Sequence, residues 1–199
     1  MKQKFHIFLI SLLFLLSSCG GHSPGNPVQR EKMDKKAITQ LTADLIKLPP
    51  AEGNVPSPSV EEEAHLIASA LINQTRETNK EFKMSGGPKW HNFMITMGFR
   101  KKGRCYDWVP ELLKALPPKP MQYYERYWGG SFESMGRENN AVIITKRGAS
   151  LKDGIAYDAW RGVGQPFWRI VGKDIYPWEI RFSEAEILRG EAHVTPRFK

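Results

Sequence analysis

Apolar residues recur at helical spacing through the first half of the chain. Four segments carry this pattern and are predicted helices: residues 31–48, 59–82, 89–97 and 107–116. A short fifth helix is predicted in the C-terminal tail, over residues 183–188. Pro49-Pro50 ends the first of the four, and Ser59 to Glu62 forms a capping-box sequence at the start of the second. Gly98 and Pro117 stand just beyond the third and fourth, where helices commonly stop.

The second half of the chain is dominated by strand-forming residues. Aromatic and β-branched side chains fill four segments: residues 121–127, 141–146, 155–160 and 167–171. Clusters of Gly, Asn and Asp separate them, as is typical of an antiparallel sheet. The predicted fold is therefore α+β, with N-terminal helices packed on an antiparallel sheet of about four strands. A single domain is expected over residues 59–199.

The N-terminus has the layout of a signal peptide. Two lysines among the first four residues precede an apolar run over residues 5–16. This run of about a dozen residues is too short to cross a hydrocarbon core of ~30 Å, which requires ~20 helical residues. We therefore expect residues 1–18 to be a signal peptide.

The apolar run ends in Leu16-Ser17-Ser18-Cys19, which resembles the lipobox of bacterial lipoproteins. The resemblance implies a diacylglyceryl group on Cys19 and cleavage just before it, whereas the alternative is an ordinary cleaved signal with a chance cysteine. Gly20 stands where the inner-membrane retention signal has aspartate, which implies an anchor in the outer membrane facing the periplasm. Residues 19–30 are then a lipidated flexible tether, and residues 31–58 a helix and a Pro-rich linker.

The charge balance bears on the partners of such a protein. The chain carries a net charge of +8, and residues 1–18 contain two lysines and no acid, so the remainder carries +6. In the cell envelope this favours the membrane, anionic envelope components or a protein partner over nucleic acid. The sequence does not indicate an oligomeric state. Without paired cysteines, paired histidines or a phosphate loop, it predicts no metal and no cofactor.

Cys105 is the residue that points to chemistry. The chain has two cysteines, so lipidation of Cys19 leaves Cys105 as the only thiol in an oxidising compartment. It stands between the basic run of residues 100–104 and a predicted helix, and both the cations and a helix N-terminus favour the thiolate. A thiolate is the nucleophile of acyl transfer through a thioester. The alternative is that Cys105 is a small core residue.

The order of three features resembles the papain-like group, and in particular the transglutaminase-like proteins. In that family a cysteine opens a helix, a histidine starts a later strand, and an aspartate lies on the strand after it. The matching positions are Cys105, Asn139-Asn140 and Asp158. The likeness covers roughly residues 90–168 and implies a transglutaminase-like core with Cys105 and Asp158 in the site. The run Asp158-Ala159-Trp160-Arg161 is also similar to a motif of proteobacterial envelope proteins of unassigned function.

Asparagine takes the place of the family's histidine. An amide cannot act as the general base of a Cys–His pair, and the sequence does not tell whether Asn139 or Asn140 is the matching residue. His91 is the candidate base closest in sequence to Cys105, with helix packing as its alternative role, and Asp158 has the alternative of pairing with Arg161. The missing histidine favours a non-catalytic envelope binding or scaffold module. The retained thiol favours a cysteine-dependent acyl transferase or amide hydrolase.

Overall fold

A computed structural model describes residues 26–50, 58–133, 135 and 137–194. The described residues hold five α-helices: Pro27–Ile46 (α1), Pro58–Phe82 (α2), Pro88–Thr96 (α3), Cys105–Lys114 (α4) and Glu184–Leu188 (α5). They also hold one antiparallel sheet of five strands: Tyr124–Ser131 (β1), Asn139–Lys146 (β2), Ile155–Tyr157 (β3), Trp168–Ile170 (β4) and Glu179–Phe182 (β5). The strand order is β4-β3-β2-β1-β5, so the predicted α+β class is confirmed.

The sheet has one strand more than the four that the sequence predicted. The additional strand, β5, is a short edge strand that pairs with β1. β1 itself begins three residues later than predicted and continues through Gly129-Gly130, a dipeptide that usually interrupts strands. Glycine is needed at position 129 because the packing leaves no room for a side chain. A Cβ there would lie 2.4 Å from Cδ1 of Ile143 on the neighbouring strand.

α4 begins earlier than the pattern predicted. Its first residue is Cys105, so Pro110 lies inside the helix and not in its first turn. The Asp107 carboxylate accepts hydrogen bonds from the backbone N–H groups of Gly103 and Arg104, both at 2.9 Å. These donors flank the start of the helix, and their capture by Asp107 extends the helix toward its N-terminus.

Both faces of the sheet are covered. On one face α1, α2 and α4 pack against the strands, and fully buried side chains such as Leu45, Leu71 and Trp108 form the main core. On the other face Val171 and Trp178 pack on Ala141, Ile143 and Ala156. All eight residues of β2 are therefore buried. Every residue of the main core and of its packed rim lies between residues 37 and 194, so a chain starting at Asn26 retains the whole core.

The start of α1 corrects the predicted tether. Residues 27–30 were expected to be flexible, but α1 begins at Pro27, where the Asn26 side chain accepts a hydrogen bond from the Val28 backbone at 3.0 Å. Asn followed by Pro is a strong helix-start signal, which the sequence interpretation overlooked. The signal peptide, Cys19 and residues 51–57 of the linker lie outside the described residues. Within the described ranges, no helix is long and apolar enough to span a membrane.

Candidate functional site

Cys105 lies at the first position of α4, beneath the helix-covered face of the sheet. Its side chain is 5% exposed and belongs to the main core. The thiol donates to the backbone carbonyl of Glu138 at 3.7 Å and accepts from the side-chain amide of Asn140 at 3.6 Å. The residue that faces the sulfur is therefore Asn140, at the start of β2.

The two asparagines of β2 point to opposite faces of the sheet, because neighbouring residues of a strand alternate. Asn140 lies on the helix-covered face, as Val142 does. Asn139 lies on the other face, where its Nδ2 donates to Oδ2 of Asp158 at 2.7 Å. The backbone N–H of Asn140 in turn donates to Oδ1 of Asn139 at 2.8 Å. One asparagine thus contacts the thiol and the other the carboxylate.

The orientation of the Asn140 amide follows from its partners. Its Oδ1 accepts from Trp128 Nε1 at 2.7 Å and from Arg181 Nη1 at 2.9 Å. Since both partners are obligatory donors, this end of the amide must be the oxygen, and the other end is the NH₂ group. That NH₂ group donates to the sulfur and, at 3.2 Å, to the Glu138 carboxylate. The Asn140 NH₂ group, a hydrogen-bond donor, therefore lies beside the sulfur, where a general base would have to lie to accept the thiol proton.

Burial determines the protonation state of the thiol. It raises the pKa of Cys105 to about 12, while the Asn140 hydrogen bond opposes the rise and the negative charges of Asp158 and Glu138 add to it. Removal of the sulfur from water thus outweighs the hydrogen bonds from Asn140 and the Tyr106 backbone, which lower the pKa. From the sequence, the helix N-terminus and the cations favour the thiolate, and a buried core cysteine is the alternative. At neutral pH the thiol is protonated.

Asp158 follows β3 and is bound into a closed polar network. Oδ2 accepts from Arg161 Nε at 2.6 Å and from Asn139, and Oδ1 accepts from the Arg161 backbone N–H at 2.9 Å. Arg161 also donates to both oxygens of Asp174, at 2.8 and 2.5 Å, and Asp174 accepts from Trp178 Nε1 at 2.9 Å. The pairing with Arg161 that the sequence left as an alternative is therefore present. Asp158 orients Asn139 and the turn that contains Arg161.

His91 supports the loop before Cys105. Its ring is fully buried on α3, and Nε2 lies 3.0 Å from the Lys102 carbonyl oxygen. A Cβ on Gly103 would lie 2.5 Å from the same nitrogen, and Gly103 has a φ of +119°, so glycine is required there on both counts. No hydrogen bond between His91 and the sulfur is found in the described part of the chain. Helix and loop packing is the role in which the structure places this histidine.

Three residues of the site were missed by the sequence interpretation. Glu138 lies in the connection before β2, Trp128 on β1, and Arg181 on β5, the strand that was not predicted. Arg181 also donates to Glu138 Oε1 at 2.7 Å, which closes the group around the Asn140 amide. The aromatic pattern of β1 was a signal for Trp128, but only the pairing of β5 with β1 brings Arg181 to the site.

Comparisons of the chain with protein-family models, curated proteins and solved structures found no match. A protonated, buried thiol faces an amide donor, and the adjacent carboxylates are engaged by Arg161, Asn139, Asn140 and Arg181. The described residues also contain no cluster of three or more His, Cys, Asp or Glu side chains that could hold a metal ion. The hydrogen-bond partners of the sulfur are thus an amide NH₂ group and a backbone carbonyl.

Proposed function

We propose that the protein is a lipid-anchored envelope lipoprotein whose domain is a non-catalytic binding or scaffold module with a transglutaminase-like arrangement. The observation that carries the proposal is the Asn140 amide, held by Trp128 and Arg181 so that it donates to Cys105. Cys105, β2 and Asp158 follow the chain order of a thiol enzyme, but an amide stands in the place of the base. Cysteine-dependent acyl transfer or amide hydrolysis is the alternative.

The state of Cys105 is tested by its rate of alkylation with iodoacetamide as a function of pH. The chain from Asn26 onward is suitable because it retains the core and has Cys105 as its only cysteine. We expect the rate to keep rising with pH toward the thiol pKa of about 12, as long as the domain remains folded. In urea the same thiol should titrate near the free value of ~8.5.

The control for this measurement is the unfolded chain itself, which reports the reagent's intrinsic reactivity with the same cysteine. A folded-state rate that reaches a plateau well below pH 8 would support the enzyme alternative and contradict the non-catalytic proposal. Slow alkylation at every pH, released by urea, would support the proposal. The two hypotheses therefore differ in the shape of the profile, which does not require a known substrate.

The anchor is proposed from the lipobox at Leu16-Ser17-Ser18-Cys19 and the Gly20 that follows it. We expect Cys19→Ala in the full chain to abolish metabolic labelling with palmitate and to make the protein extractable from the outer-membrane fraction by high salt, which screens surface charges but does not remove a lipid anchor. The matched control is Cys105→Ala, which leaves the lipobox intact and should keep full labelling. Labelling that persists in Cys19→Ala, or disappears in Cys105→Ala, would contradict an anchor on Cys19.

A further inference from the structure

Four large apolar side chains lie on the surface of α3 and the turn that follows it. Trp90, Phe93 and Met97 recur three and four residues apart, which places them on one side of the helix, and they are 53%, 48% and 54% exposed. Phe99 is 63% exposed. The rings of Trp90 and Phe93 stack with their centroids 5.4 Å apart. An exposed apolar group of this kind marks an interaction surface.

The turn after α3 fixes the position of Phe99. Gly98, with a φ of +80°, donates to the Ile95 carbonyl at 3.0 Å, and the Phe99 N–H donates to the Met94 carbonyl at 2.9 Å. These two bonds form the Schellman closure of a helix end, which returns the chain toward the last turn of the helix. Phe99 is therefore held beside the end of α3 by backbone hydrogen bonds.

The segment that carries these side chains holds charges of one sign. Residues 83–106 contain six lysines and arginines and no acid. Lys89 precedes Trp90 and Lys101 follows two residues after Phe99, and both are exposed. Lys102 is also exposed and lies 3.5 Å from the Glu81 carboxylate at the end of the preceding helix. An apolar surface on α3 thus has a basic border.

We propose that this aromatic–basic surface, made by Trp90, Phe93, Met97, Phe99, Lys89, Lys101 and Lys102, docks onto an anionic phospholipid bilayer. Tryptophan and phenylalanine partition into the boundary between headgroups and acyl chains, while lysines at the border are attracted to negative headgroups. A bilayer offers an apolar layer for the aromatic rings and, closer to the water, negative headgroups for the lysines. Lysine side chains can reach these headgroups because their stems extend along an apolar face while the ammonium groups stay in water. The contact is made by the domain itself and does not depend on a lipid on Cys19.

The test is cosedimentation of the chain from Asn26 onward with two kinds of vesicle. One is pure phosphatidylcholine, and the other contains about a quarter phosphatidylglycerol, which supplies the negative surface potential. We expect binding to the anionic vesicles and little to the neutral ones. Lys101→Gln/Lys102→Gln should weaken anionic binding roughly 25-fold, at about fivefold for each cation near the surface. Trp90→Ser/Phe93→Ser should weaken it at least tenfold.

The controls carry the same chemical changes elsewhere on the surface. Lys152→Gln/Lys173→Gln removes two exposed cations, and Met33→Ser/Ile175→Ser removes side chains that are 55% and 83% exposed. Both should bind like the unchanged chain. The proposal is overturned by no binding, by equal loss in the control variants, or by sedimentation equilibrium showing a dimer that Trp90→Ser/Phe93→Ser dissociates. The last result would identify a second copy of the chain as the occupant of this surface.

Discussion

Arg161→Met is expected to lower the free energy of unfolding by about 3–5 kcal/mol, because it leaves two buried carboxylates without their shared cation. The Arg161 side chain is 14% exposed, and it lies between Asp158 and Asp174, whose side chains are 0% and 2% exposed. Its guanidinium also lies 4.8 Å from the Tyr176 ring centroid and 4.9 Å from that of Phe167. Urea unfolding monitored by tryptophan fluorescence measures the effect.

The matched control is Arg169→Met, since Arg169 is exposed and contacts the same Phe167 ring at 5.3 Å. It should leave the urea midpoint unchanged. Converting both acids to amides, in Arg161→Met/Asp158→Asn/Asp174→Asn, should recover part of the loss, since no buried charge then remains. A loss in Arg161→Met that the two amides do not reduce would show that packing, and not charge, is what Arg161 provides.

The pH dependence of the Arg161→Met variant follows from the same burial. Burial already raises the pKa of Asp158 in the unchanged protein. Without the cation, we expect burial to raise the pKa of both carboxyl groups above the ordinary value of ~3.9, so that the folded state of the variant holds protons more tightly than the unfolded state. The stability of the variant should therefore rise as the pH falls from 7 toward 5. In the unchanged protein the Arg161 and Trp178 hydrogen bonds outweigh burial and lower the pKa of Asp174. Its contribution is therefore complete above about pH 4 and is lost in more acidic solution.

Arg126→Met should lower the free energy of unfolding by about 3 kcal/mol, and the reason differs from that for Arg161→Met. The Arg126 side chain is 1% exposed and donates to the backbone carbonyls of Pro117 and Lys119, at 2.6 and 2.8 Å. It also lies 3.2 Å from the Glu184 carboxylate, which retains Arg147 at 2.9 Å in the variant. The variant therefore leaves two backbone carbonyls without this donor and leaves Glu184 with only one of its two arginine partners. Thermal unfolding followed by circular dichroism is the measurement.

The comparison for Arg126 is Arg189→Met, which removes an exposed arginine paired with Glu191 at 2.7 Å. Exposed pairs contribute little, so the unfolding temperature should not change. If Arg126→Met proved equally neutral, the segment between α4 and β1 would be held by its apolar contacts alone. In that case Met121, which is 3% exposed, would be the residue to change next.

Local patterns predicted the positions of the main site residues along the chain. Cys105 before a helix and Asn139-Asn140 before a strand follow from turn residues and periodicity. Asp158 was predicted inside a strand over residues 155–160, but it lies just after β3, which ends at Tyr157. Which asparagine faces the sulfur could not be predicted, because the faces of a strand are assigned only by its packing. The contact between Asn140 and Cys105 joins residues 35 apart, and the one with Arg181 spans 41.

The burial of Cys105 was the second property that local sequence patterns could not predict. A cysteine beside cations at a helix N-terminus suggests a thiolate, and that interpretation holds only when water reaches the sulfur. Here the Cys105 side chain is 5% exposed, and the Asn140 amide that contacts its sulfur is itself held by Trp128 and Arg181. β5 was missed for a related reason, since four residues with two exposed side chains carry no clear alternation and form a strand only by pairing with β1.

The attachment of α1 has a mechanical consequence. Asp34 is bound to Arg76 of α2 at 2.6 Å, Asp44 accepts from Trp168 of β4 at 3.0 Å, and Lys146 of β2 donates to the Ile46 carbonyl at 2.9 Å. A pull on the chain ahead of α1 therefore meets its first resistance at Asp34 and is then resisted by Leu41, Leu45 and the contacts at the C-terminal end of the helix. Asp34 is the first residue of α1 that these contacts join, so such a pull reaches the Arg76 pair on α2 before it reaches β4 and β2.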